Sequence, residues 1–216
     1  MVAVPIKPEY GPTLGQLLSP RWRSASPLTR RVLTAAGIGL LALAVAAALS
    51  LQNATFSHGG KVPFSFAYRG LWKAAPDPGG YVRIERRRAG GALEDSYAVR
   101  PLVLPPYAGE QSGALPVYAS GYIRELARRD PGFVLRGEGK TRVNAVPAYQ
   151  VLYTAVVEGR PMYGRDVLLL PERQGAREGV AIVMLTSPTA NSKVDSPLEV
   201  AQAGVLLRPL KSFSFG

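Results

Sequence analysis

Residues 148–185 read AYQVLYTAVVEGRPMYGRDVLLLPERQGAREGVAIVML, and the pattern in this stretch sets the fold class. Three runs within it, 148–157, 162–170 and 179–185, are rich in β-branched, aromatic and leucine side chains and too short for helices, so each reads as a strand. Glu158-Gly159-Arg160-Pro161 joins the first two so tightly that antiparallel neighbours are the natural reading.

The same reading extends toward both ends. Residues 81–88 alternate Val82 and Ile84 with charges, and Gly90-Gly91 turns the chain into 93–102, a hairpin with one wet face. Upstream, VPFSFAY at 62–68 places Phe64, Phe66 and Tyr68 at period two, on one side of an opening strand. Pro105-Pro106 and residues 109–113 form a loop before a helix predicted at 115–129. Its face of Leu115, Tyr118, Tyr122 and Leu126 opposes Arg124, Arg128 and Arg129, and Asp130-Pro131-Gly132 ends it. Ser196-Pro197-Leu198-Glu199 combines a capping serine, a proline at the first helical position and a glutamate reaching back, so a second helix is predicted to start there. It should run through Val200 and Ala203 and stop before Pro209, after which 211–215 alternate again. Strands, helix, strands, helix is the order of an α+β domain, an antiparallel sheet flanked by helices.

Residues 32–51, VLTAAGIGLLALAVAAALSL, hold no charge and no proline. As a helix rising about 1.5 Å per residue, they span a hydrocarbon core of about 30 Å. Arg21, Arg23, Arg30 and Arg31 precede the run, whereas 51–60 carry no Lys or Arg, which places the N-terminus in the cytoplasm and the domain outside. A cleaved signal peptide is the competing reading, with small residues at 46–48. The apolar run and the segment before it are both long for one, so a retained anchor in the cell membrane is preferred. The chain thus divides into a basic cytoplasmic tail (1–31), a transmembrane helix (32–51), a polar linker (52–61) and an extracytoplasmic domain (62–216). The Ala, Gly, Arg and Pro bias points to a GC-rich bacterial genome. Without cysteine, packing alone must hold the domain.

Three short features resemble the PsbP-like fold, found in photosystem II extrinsic proteins and small bacterial envelope proteins. They are Phe64-Ser65-Phe66-Ala67-Tyr68 followed by Trp72, Arg142-Val143-Asn144-Ala145-Val146-Pro147-Ala148, and the closing Leu210-Lys211-Ser212-Phe213-Ser214-Phe215. Arg69 stands where the family pattern has proline. The resemblance covers about residues 62–216. It implies an α/β/α sandwich used for docking and assembly of membrane-associated complexes rather than for chemistry. No family metal site carries over, because no matching ligand cluster stands in this sequence.

Groups for catalysis are sparse. The single histidine, His58, falls in the linker and is expected to be exposed, which argues against a triad or a histidine-rich metal site. Gly137-Glu138-Gly139-Lys140-Thr141 imitates a phosphate loop but lacks its first glycine, and reads as a hairpin turn. Ser192-Lys193 are neighbours in a polar loop, and Glu94, Asp95, Glu138 and Asp166 read as solvated or arginine-paired acids, Asp166 beside Arg165. No cofactor and no enzymatic activity are expected. Residues 52–216 carry 21 basic against 14 acidic residues, a net of +7, densest at Arg86, Arg87 and Arg88, a candidate contact for anionic lipid or polymer. Nucleic acid is an unsuitable partner for a domain outside the cell. Ala35, Ala36, Gly37 and Gly39 are candidate contacts to another membrane helix. These features point to a membrane-tethered module that docks a partner in a membrane-protein complex. The alternative is an envelope-side binder of a lipid or small apolar or anionic ligand, in a cleft lined by Tyr118, Tyr122 and Tyr153.

Overall fold

The computed structural model describes residues 26–173, 175–190 and 193–216. The chain divides into two units between Leu49 and Ser50. In the first, helix α1 (Pro27–Leu51) is long and apolar enough to cross a membrane. It starts earlier than residue 32 because Pro27 occupies the first helical position behind Ser26, whose Oγ accepts the Thr29 N–H at 3.2 Å. Residues 1–25 of the expected tail, including Arg21 and Arg23, lie outside the described residues.

The second unit runs β1 (Asn53–His58), β2 (Phe64–Arg69), β3 (Lys73–Ala74), β4 (Val82–Arg87), β5 (Leu93–Val103), α2 (Gln111–Arg129), β6 (Val134–Val143), β7 (Val146–Val157), β8 (Arg160–Leu169), β9 (Glu178–Thr186), α3 (Leu207–Ser212) and β10 (Ser214–Phe215). Seven strands form one antiparallel sheet, ordered β3-β4-β5-β9-β8-β7-β6, and three form a second, ordered β1-β2-β10. β8 and β9 lie inside the larger sheet and are buried on both faces along most of their length, which is why they read as continuous apolar runs. On one face Val167, Leu169, Tyr97 and Ile182 meet Phe64, Phe66 and Phe213 from the small sheet and its neighbouring helix. On the other face Leu102, Leu168 and Ala181 receive Leu115 and Ala119 of α2, and Val151, Tyr153 and Ala155 receive Leu126. The domain is therefore α+β, with antiparallel sheets and helices. The layer opposite α2 is a small sheet with a six-residue helix.

Four local expectations are corrected. The predicted linker contains β1, whose residues pair with β2 from Asn53↔Arg69 to His58↔Phe64. Its polar, half-buried alternation hides it, since only Phe56 and His58 carry rings toward the core. His58 is accordingly not an exposed linker residue: its ring lies 4.4 Å from that of Tyr81. Residues 137–141 are the interior of β6, and the turn falls at Asn144 and Ala145, with φ of 47° and 73°. Asn144 secures this turn by donating from Nδ2 to the carbonyls of Lys211 and Phe213, both at 2.6 Å. The Ser196 helix is only a three-residue 3₁₀ turn, Pro197–Glu199, with no side-chain cap from Ser196. Glu199 instead accepts the Asp195 N–H. α3 contains Pro209 at its third position, where the missing N–H costs no intrahelical bond.

The close approach of β8 and β9 is testable. A Cβ at Gly179 would overlap the Leu169 carbonyl oxygen, whereas one at Gly139 would meet nothing within 4 Å. Gly179→Ala is expected to lower the unfolding free energy by about 2 kcal/mol or more, and Gly139→Ala to change it by no more than about 0.5 kcal/mol. Chemical denaturation of both variants checks this, and equal effects would contradict the register.

Candidate functional site

After β5 the chain passes through Leu104, Pro105, Pro106 and Tyr107 before entering α2. Two prolines stiffen this loop, and the Tyr107 hydroxyl ties it down by donating to the Ala176 carbonyl at 2.8 Å. Between loop and helix lies a cleft of about 600 Å³, open along one side. Gly113, Val117 and Gly121 recur every fourth residue along its helical wall, so one strip of α2 is nearly bare of side chain. Val117 is 78% exposed, and a Cβ at Gly113 would meet nothing within 4 Å. Tyr118 and Tyr122 also line the cleft, with ring centroids 6.4 Å apart and nearly parallel planes. Its lining includes both signs of charge, from Glu110, Arg124 and Glu125.

The middle of α2 is pinned by a buried polar triplet. Tyr122 donates to Asp166 Oδ2 at 2.6 Å and Tyr153 to Oδ1 at 3.0 Å. Asp166 has no solvent exposure, and burial pushes its pKa up to about 6, against the opposing pull of the two hydroxyls and of Arg129. Burial first, and the Asp166 charge second, hold both phenols well above their ordinary range. Arg165 is not the partner of Asp166. Successive strand residues face opposite ways, and Arg165 donates to the Val200 carbonyl at 2.9 Å on the far face.

The remaining predicted residues fall as follows. Tyr118 and Tyr122 share the cleft, but Tyr153 is buried beneath α2 and does not line it. Arg86 pairs with Asp95 and Glu94, Arg87 with Glu85 and Glu158, and Arg88 with Glu94. This basic run is thus largely neutralised by cross-strand acids and the β7–β8 turn. Ala35, Ala36, Gly37 and Gly39 are exposed on α1. Ser192 lies outside the described residues. Among the described residues no three histidine or acidic side chains come together as a metal site. Sequence reasoning missed the loop wall at 104–107 and the bare strip on α2. The spacing of Gly113 and Gly121 was the available signal.

No family model and no curated protein matches the chain. Among solved structures, the fold is similar to that of LpqN of Mycobacterium tuberculosis, a protein described as involved in cell envelope biogenesis. That likeness covers 76% of this chain and 90% of LpqN at 11% identity, with a TM-score of 0.52. A cyanobacterial PsbP, CyanoP from Synechocystis sp. PCC 6803, aligns over 76% of this chain and 92% of its own at 14% identity, with a TM-score of 0.47. PA94 of Pseudomonas aeruginosa, a protein of unknown function, aligns over 64% of this chain and 85% of its own at 18% identity, with a TM-score of 0.36. The last two scores are too low to carry an argument, and the LpqN likeness shows fold alone. At that level the domain shares with LpqN an α+β fold of antiparallel sheets and helices.

The Asp166 triplet gives a pH prediction. Its folded pKa lies above the ordinary 3.8, so the folded state holds the proton more tightly than the unfolded chain. The resulting stability is present below about pH 4 and is lost as pH rises through about 6. Relative to Asp166→Asn, the native protein is expected to lose about 3 kcal/mol across that window. Denaturant titrations at stepped pH measure it, and a pH-independent gap between the two proteins would contradict the assignment.

Proposed function

We propose that the chain is a non-enzymatic, single-pass membrane protein whose domain lies outside the cytoplasm and docks a partner in a membrane-protein complex. Its docking site is the cleft between the 104–110 loop and α2. The observation that carries this reading is the cleft's open, apolar helical wall, with Val117 78% exposed. Small-molecule sites enclose most of their ligand's surface. A groove open along one side leaves such a ligand wet but accommodates a segment of another chain, and the mixed charges of Glu110, Arg124 and Glu125 provide a polar rim.

Supporting context comes from the anchor. A membrane-associated accessory role fits both the apolar helix and the fold shared with LpqN, an envelope-biogenesis protein. The basic residues before α1, and their absence over 51–60, support the orientation. The only histidine is engaged with the rings of Phe64 and Tyr81, which favours a non-catalytic domain. A lipid or small apolar ligand is the second reading, favoured specifically by the stacked Tyr118 and Tyr122 in the cleft.

A photo-crosslinking residue at position 117, introduced in the full chain in native membranes, separates the readings. The docking account expects one protein adduct, lost in Gly121→Leu. That substitution fills open space and raises helix propensity, so thermal stability should hold or rise. Adducts only to lipid would favour the ligand reading, and no adduct would contradict both.

A further inference from the structure

The turn between β2 and β3 reads Arg69-Gly70-Leu71-Trp72-Lys73. It is tightly built: the Trp72 N–H donates to the Arg69 carbonyl at 3.2 Å, and the Gly70 N–H to the Gln52 carbonyl at 3.0 Å. Trp72, at 6% exposure, anchors the turn in the core, and its neighbour Leu71 is left 60% exposed. A lone exposed leucine is ordinary on a protein surface. This one differs in its company and its place. Arg69 and Lys73 flank it, both exposed, and neither forms an ion pair among the described residues. By contrast Arg83, Arg86, Arg87, Arg88 and Arg100, on the adjoining strands, are all paired with acids.

Place follows from chain length. Gln52 directly follows Leu51, the last residue of α1. Its carbonyl accepts the Gly70 N–H, so one residue step and one cross-strand spacing, at most about 9 Å, separate Gly70 from the helix end. The headgroup layer on each side of a bilayer is about 5–8 Å deep. Leu71 and Lys73 also border a groove of about 650 Å³ whose lining includes Pro76, Glu85, Arg87 and Arg88.

We propose that this turn is a second membrane contact. Leu71 enters the boundary between headgroups and acyl chains, Arg69 and Lys73 hold anionic lipid headgroups, and together they fix the orientation of the domain on the bilayer. The inference rests on α1 spanning the membrane. It moves the expected anionic-lipid contact from the paired arginines at 86, 87 and 88 to the two free cations of the turn. A basic residue at an anionic surface favours the docked state by roughly fivefold. Reversing both is therefore expected to weaken docking by at least about 25-fold.

Because the chain lacks cysteine, single-cysteine variants of the full protein report cleanly. Leu71→Cys, Leu198→Cys and Leu41→Cys would be reconstituted in nanodiscs of phosphatidylcholine with or without phosphatidylglycerol, then alkylated with a water-soluble maleimide. Leu198, at 51% exposure, is the exposed-leucine control. The expected result is strong protection of position 71 in anionic nanodiscs. Protection should weaken in pure phosphatidylcholine and in the Arg69→Glu/Lys73→Glu background, with position 198 reactive throughout. Position 71 as reactive as 198 in anionic nanodiscs would overturn the proposal, as would protection that persists unchanged in pure phosphatidylcholine and in the Arg69→Glu/Lys73→Glu background. Reactivity at position 41 reports separately on whether α1 is embedded.

Discussion

Everything in the domain depends on how early its chain is captured by strand pairing. One residue, Gln52, separates α1 from β1, and its carbonyl is already bonded to Gly70. β1 then pairs with β2 over its whole length, and β2 also pairs with β10 at the far end of the sequence. The chain's last strand and the first strand after the anchor therefore share one small sheet. That sheet carries Phe56, Phe64 and Phe66, with ring centroids 5.5–6.5 Å apart, onto the buried face of the larger sheet. Burying each such side chain contributes about 1.5–3 kcal/mol. The segment that leaves the helix is thus fixed by the core rather than by its own weak propensity.

The opposite face obeys a different constraint. Asp166 is a carboxylate with no solvent, and a buried charge is tolerated only where hydrogen bonds satisfy it. Tyr122 from α2 and Tyr153 from β7 supply them, so the same contact that satisfies the acid also sets where α2 sits. With its middle pinned by Tyr122 and its C-terminal half by Leu126, the helix holds Gly113, Val117 and Gly121 along the cleft. The cleft is consequently walled by two anchored elements, the second held by Tyr107 on Ala176.

Legibility in the sequence followed burial. β7, β8 and β9 could be read because two buried faces produce uninterrupted apolar runs, and α2 because its apolar stripe recurs at helical spacing. β6 could not, since an edge strand carrying Arg136, Glu138, Lys140 and Arg142 shows charge where a core strand shows valine, a pattern that also guards an unpaired edge. β1 was hidden for a related reason, as Asn53, Thr55 and Ser57 face outward and only every second residue is partly buried. At the site, Tyr118 and Tyr122 were found by periodicity. The pairing of Arg86, Arg87 and Arg88 depends on cross-strand acids such as Asp95 and on Glu158 of a distant turn, which no local window contains. The separation of Arg165 from Asp166 needed only the strand's period of two.

The most direct measurement is amide hydrogen exchange across residues 52–70 of the full chain held in nanodiscs. If β1 is a strand locked to β2, alternate amides of Asn53–His58 and the Gly70 amide exchange slowly, approaching the β8–β9 core. Exchange through 53–58 at the rate of an unstructured chain, with β8 and β9 still protected, would contradict the account. The segment would then be a flexible linker, and the Leu71 turn would lose the short path to the helix end on which the second membrane contact rests.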